Sequence, residues 1–73
     1  MTLEKIKGYI LKNKGVLHCF RYKGSRNQIE EFEGTINNLY PAIFTILTKD
    51  SRIQSFSYSD FLIGNIVIID KNN

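Results

Sequence analysis

Residues 22–62, YKGSRNQIEEFEGTINNLYPAIFTILTKDSRIQSFSYSDFL, decide the fold. The stretch reads as three β-strands joined by two tight turns and closed by a short helical turn. Within it, Lys23-Gly24-Ser25-Arg26-Asn27 has turn chemistry, with Gly for positive φ and Ser and Asn for local hydrogen bonds to the backbone. The strand that follows holds an irregularity: Ile29 and Phe32 are three apart, so strict alternation places both on one face only if a bulge lies near Glu30-Glu31. From Phe32 the alternation runs on through Gly34 and Ile36, and an interior Gly permits a bend or a close backbone approach. Tyr40-Pro41 breaks the run, because Pro cannot donate to a ladder and confines Tyr40 to extended conformations. Residues 42–47 are apolar on both faces except at Thr45, the pattern of a covered central strand. A polar turn over 48–52 leads into a strand over 53–58, in which Phe56 and Tyr58 share a face, and Ser59 or Asp60 is placed to cap a helical turn over 59–62.

On the N-terminal side, Leu3, Ile6 and Ile10 recur at helical spacing, predicting an amphipathic helix over about 2–13 with Thr2 as N-cap and Asn13-Lys14-Gly15 as stop. Gly8 in its middle costs about 1 kcal/mol relative to Ala, so this short helix must dock its apolar stripe to persist. Residues 16–23, VLHCFRYK, form the first strand, with Phe20 and Tyr22 on one face and Cys19 and Arg21 on the other. Beyond the helical turn, residues 65–69 (NIVII) are a strongly β-prone edge segment with Asp70 and Lys71 as gatekeepers; this strand either closes the fold or pairs with another subunit. The order of helix, four strands, helical turn and fifth strand is that of a small SH3-like or Sm-like barrel, and the fold class is mainly β: a five-stranded SH3-like barrel over about 16–69 in a single domain spanning 1–73.

Composition bounds the function. A chain of 73 residues, 42% hydrophobic and 23% charged, is globular but near the size at which a core holds without help. Cys19 stands alone, so an internal disulfide is ruled out, and one Cys with one His cannot complete a four-ligand zinc site; no cofactor is expected, and oligomerisation is the remaining source of extra stability. Residues 2–5 open no apolar run of signal-peptide length and no segment approaches a membrane span, which points to a cytoplasmic protein without membrane attachment. The net charge of +3 is unevenly spread: residues 1–26 carry seven basic residues against Glu4, a net +6, and residues 27–73 carry three against six acidic, a net −3. Such asymmetry favours an acidic partner for the basic arm or attraction between copies.

No catalytic set emerges. His18 and Cys19 are neighbours in a strand and point to opposite faces, and Ser57, Ser59 and Asp60 have no base beside them, the one His lying in the first strand. Gly24 and Gly34 lack the Gly-Lys-Ser/Thr signature of a phosphate loop. Tyr22 and Tyr58 are read as core rings with hydroxyls at the edge, while Tyr40 is equally suited to a rim where partners bind. Two surfaces are candidates. Arg21, Lys23, Gly24, Arg26 and Tyr40 are placed to meet a protein partner. Lys12, Lys14, Arg21, Lys23 and Arg26 form a phosphate-binding patch if the helix packs near the hairpin, against the plainer reading of scattered solubilising residues.

At Gly24-Ser25-Arg26-Asn27, Glu30, Gly34, Tyr40-Pro41, Phe44 and residues 57–62 (SYSDFL), the chain resembles the Veg family of small proteins from low-GC Gram-positive bacteria. The family pattern is a Gly followed by basic residues, a Glu, a Gly, Tyr-Pro with an apolar strand, then Ser-Tyr, Asp and Leu. The resemblance spans about residues 20–69. It departs from the pattern where Ser25 and Asn27 flank a lone Arg26 and where Asn38 replaces an acidic residue. It implies an SH3-like barrel and a cytoplasmic, non-enzymatic regulator that stimulates biofilm formation by relieving a transcriptional repressor. The partners expected are therefore a regulatory protein and, through an edge strand, further copies of the chain; the alternative is an Sm-like nucleic-acid binder using the basic N-terminal third.

Overall fold

A helix opens the fold because Thr2 accepts the Lys5 N–H on its hydroxyl (3.3 Å) and Glu4 lies in the first turn. This helix, α1 (Leu3–Lys12), buries Ile6 and Ile10, leaves Leu3 half exposed, and ends at Asn13. Gly15 then takes φ 81°, a conformation that favours glycine, and donates to Ile36 O at 3.2 Å, which ties the helix exit to the sheet. The computed structural model describes residues 2–24 and 28–69. The turn residues Ser25 and Asn27, the candidate Arg26, and Asp70 and Lys71 lie outside them.

Five strands and a second helix follow: β1 (Leu17–Lys23), β2 (Ile29–Leu39), β3 (Ile43–Thr48), β4 (Ile53–Ser57), α2 (Tyr58–Leu62) and β5 (Ile66–Ile68). All pairings are antiparallel, in the order β4-β3-β2-β1-β5. The expected closed barrel is not shown: β4 and β5 stand at opposite ends of one open five-stranded sheet, with no ladder between them among the described residues. The sheet is strongly curved, since Tyr22 of β1 and Phe56 of β4 meet at 5.1 Å although β2 and β3 lie between their strands. Its inner face carries Phe20, Ile36, Phe44, Ile46 and Phe56, and these pack with Ile6 and Ile10 of α1, Tyr58 of α2 and Ile66 of β5.

The bulge is not where the apolar spacing puts it. β1 and β2 pair without interruption from Leu17↔Thr35 to Lys23↔Ile29, because Ile29 is 60% exposed and needs no inward position. Phe32 alone turns in, stacking on Phe20 at 5.5 Å. The register shifts instead between Ile36↔Ile46 and Leu39↔Phe44. There the buried Thr45 mends the ladder: its hydroxyl accepts the Asn38 N–H at 3.1 Å and lies 3.5 Å from Asn38 O. The polar residue inside this apolar strand therefore serves groups that the bulge leaves behind. Thr45→Val keeps the shape and removes the hydroxyl, and it is expected to cost about 1–3 kcal/mol in chemical denaturation, with Thr45→Ser losing less than Val. Equal stability of Val and wild type would show that the hydroxyl does not hold the bulge.

β3 is covered less evenly than its composition suggests, since Ile43 and Leu47 remain partly exposed on the outer face. The cap of α2 also falls earlier than expected. Ser57, rather than Ser59 or Asp60, is the N-cap: it accepts the Asp60 N–H at 3.0 Å while Asp60 accepts the Ser57 N–H at 3.4 Å. Tyr58 is thus the first residue of the helix, and it is buried. Among the described residues no helix is long and apolar enough to cross a membrane.

Candidate interaction surface

The sequence candidates lie on three separate parts of the molecule. Arg21 and Lys23 occupy alternate positions of β1 on the outer face of the sheet, where Arg21 reaches Glu31 across the ladder, both Nε (3.3 Å) and Nη2 (3.2 Å) donating to Oε2. Both side chains of this pair are about half exposed, so it fixes local geometry and contributes at most about 1 kcal/mol. Lys23 uses its main-chain N–H on Asn65 O at 2.7 Å and leaves its side chain exposed. Gly24 donates to Gln28 O at 2.7 Å, and a Cβ there would meet only ordinary contacts at 3.6 and 3.7 Å, so the glycine is not required by close packing.

Lys12 and Lys14 belong to the end of α1 and the loop before β1. The six steps of strand from Leu17 to Lys23, at about 3.3 Å each, put roughly 20 Å of β1 between that loop and Lys23. Tyr40 lies at the end of β2 away from the hairpin, 49% exposed, its N–H donating to Ile43 O at 2.8 Å. Of the protein-partner set, Arg21, Lys23 and Gly24 are brought together and Tyr40 is remote from them. Of the phosphate set, Lys12 and Lys14 are at one end of β1 and Arg21 and Lys23 towards the other.

The remaining tyrosines are structural. Tyr22 meets Phe56 edge-on at 5.1 Å, and Tyr58 packs on Phe44 at 5.5 Å with the Lys7 ammonium 5.2 Å from its ring. Burial raises the Tyr58 hydroxyl above its ordinary range, partly opposed by the Tyr40 backbone beside it. His18 is buried on the inner face, its ring 6.2 Å from Phe20, and Cys19 lies half-buried on the other face. Ser57 and Asp60, two of the residues that invite a hydrolase reading, cap α2 instead. Among the described residues no group of three or more His, Cys, Asp or Glu is arranged to hold a metal.

One feature is not legible in the sequence. An open cleft of about 380 Å³ lies between the first half of β2 and the β3–β4 turn, with Glu30, Phe32, Thr48 and Gln54 among the residues that line it. Ion pairs edge it: Lys49 with Glu33 at 3.6 Å and Arg52 with Asp50 at 2.9 Å. Asp50 sits below the ordinary carboxylate range because the Thr48 hydroxyl donates to it, with Arg52 close by. The cleft adjoins the hairpin end of β2, so it and the outer pair Arg21–Glu31 belong to one end of the sheet. It assembles residues some twenty positions apart, and only the opposite charges of 30–33 and 49–52 hint at it in the sequence.

No curated protein matches the chain. A family model described as "Biofilm formation stimulator VEG" matches residues 1–69. That match takes in α1 and all five strands, more of the chain than the hairpin, Tyr-Pro and SYSDFL signals alone. The chain therefore belongs to the Veg family, the biofilm formation stimulators.

Proposed function

We propose that this protein is a non-enzymatic regulatory module that acts by binding another protein, relieving a transcriptional repressor and so stimulating biofilm formation. The observation that carries the reading is the family match over residues 1–69. The strand order, with a helical turn before the last strand, supports an SH3-like architecture. The surface we assign to the partner is the hairpin end, Arg21, Lys23, Gly24 and Arg26, together with the cleft beside it; Tyr40 is a second contact. Polar rims with adjacent apolar floor, here Phe32, suit protein recognition.

Affinity capture of the tagged protein from cells of its own host, read by mass spectrometry, tests this. The expected result is enrichment of a transcriptional repressor by the wild type, lost in Arg26→Glu and reduced in Tyr40→Ala, with biofilm mass falling in parallel. Capture that is identical for wild type and both variants would show that the surface is wrongly chosen. The nucleic-acid reading has less behind it, since the length of β1 separates Lys12 and Lys14 from Lys23. Titration against single-stranded RNA and DNA at two salt concentrations separates the two: phosphate binding weakens steeply with salt, and no binding at low salt removes it.

A further inference from the structure

The two ends of the sheet are not equivalent. In an antiparallel ladder successive residues direct their N–H and C=O groups alternately to one neighbour and the other. For β5, Lys23 N–H donates to Asn65 O and Ile69 N–H to Cys19 O, so the odd residues face β1 and Ile66 and Ile68 face away. Ile66 is nevertheless 0% exposed, so that edge is covered where β5 begins. For β4, Thr48 N–H donates to Arg52 O and Tyr58 N–H to Ala42 O, so the even residues face β3 and Ile53, Ser55 and Ser57 face outward. The Ser57 N–H is taken by Asp60 in the cap. Ile53 and Ser55 remain, both exposed, with no backbone partner among the described residues.

Apart from its shortness and the Asp60 cap on Ser57, this edge carries little of the usual protection. Its sequence is IQSFS, with no charge, no proline and no bulge. It also ends an apolar row on the outer face of the sheet, because Leu17↔Thr35, Thr35↔Leu47 and Leu47↔Ile53 are in register across four strands. Leu17, Leu47 and Ile53 are all exposed large hydrophobics.

We propose that a second copy of this chain adds to the β4 edge, antiparallel and two-fold symmetric, with Ile53 opposite Ser55 of the second copy and Gln54 opposite Gln54. In that register the two outward residues of each copy face one another and exchange four main-chain hydrogen bonds, with Gln54 as the non-hydrogen-bonded pair on the axis. Faces are preserved, so Ile53 of one copy lies diagonal to Ile53 of the other and the two apolar rows run together. A copy fits this edge better than a charged segment would, because β4 has no side-chain charge to select one. A chain of 73 residues also gains stability from such an addition. The contact shares Gln54 with the cleft beside the hairpin end, but self-association is read on the purified protein and stands whether or not a repressor is captured there.

The test is native mass together with two substitutions. The wild type is expected at twice the 8.5 kDa chain mass in sedimentation equilibrium. Ser55→Pro removes an outward N–H and obstructs the incoming strand but leaves the ladder to β3 intact. It is expected to weaken self-association by at least about tenfold with an unchanged circular dichroism spectrum. In a Cys19→Ser background, Gln54→Cys is expected to form a covalent dimer on mild oxidation, since Cα atoms of such a pair stand about 4.5 Å apart, within disulfide range. Ser59→Cys, exposed on α2, is the control and is expected to cross-link little. A monomer at the highest soluble concentration, a dimer indifferent to Ser55→Pro, or equal cross-linking at 54 and 59 would each overturn the proposal. If Ser55→Pro fails to fold, the cross-linking comparison still decides it.

Discussion

Gly34→Ala is expected to lower the urea midpoint of unfolding by about 2 M, a loss of roughly 1–3 kcal/mol with an m-value near 1 kcal/mol/M. Gly34 sits in β2 between His18 of β1 and Thr48 of β3, on the inner face. A Cβ there would lie 2.7 Å from Leu47 O, 2.8 Å from Ile46 Cγ2 and 3.2 Å from Thr48 Cα. Two of the three contacts are with backbone, so relief requires β3 to move away from β2 and strains the ladder that begins at Gly34↔Thr48. The glycine is required by this close approach. Gly8 makes the opposite prediction: a Cβ added at this position of α1 would meet nothing within 4 Å, so Gly8→Ala should stabilise by about 1 kcal/mol through helix propensity. Matching midpoints for Gly34→Ala and wild type would mean that the strands can separate at little cost, and the tight contact would lose its meaning.

The same glycine shows what the sequence can disclose. An interior Gly in a strand of alternating residues signals either a bend or a close approach, and here it is a close approach. The ends of α1 are equally legible, because Thr2 and Gly15 have local conformational reasons to be there. Closure of the sheet is not, since it depends on hydrogen bonds between strands far apart in the chain, and local pattern says nothing of whether β4 meets β5. A bulge near Glu30-Glu31 presumes a buried Ile29, and one exposed isoleucine removes the need for it. Tyr58 carries two compatible readings, as the end of a strand or the start of a helix, and the Ser57–Asp60 capping box chooses the second. For the candidate site, the sequence supplies the charges but not their separation. Residues 12–26 are neighbours in the chain, yet β1 is an extended strand that carries Lys23 away from Lys12 and Lys14. The cleft draws Glu30 and Gln54 into one lining, which only the folded sheet arranges.

Phe56→Ala is expected to be the most damaging single truncation, costing about 3–5 kcal/mol. The stability of a chain this size is only roughly 4–11 kcal/mol, so the variant should be substantially unfolded at physiological temperature. Phe56 is 6% exposed and meets three rings, Tyr22 at 5.1 Å, Phe44 at 6.1 Å and Phe32 at 6.2 Å. It thereby joins β1, β2 and β3 to β4, of which it is the one buried residue. Because β4 is an edge strand held by a single ladder, its attachment relies on that side chain more than a central strand would on any one of its own. Phe56→Leu keeps most of the volume and is expected to lose less than the alanine, roughly 1.5 kcal/mol. Thermal unfolding by circular dichroism measures the order, and hydrogen exchange should show the β4 and β3 amides losing protection first. A cost below that of Phe61→Ala, whose half-buried ring meets Tyr9 at 5.8 Å, would place the centre of the core elsewhere. The result also bears on assembly: Phe56→Ala should weaken self-association by loosening the strand from within, whereas Ser55→Pro should do so with the melting behaviour of the monomer fold intact. The Ser55→Pro outcome is the one specific to the edge proposed for the second copy, because an unfolded Phe56→Ala chain would lose any contact.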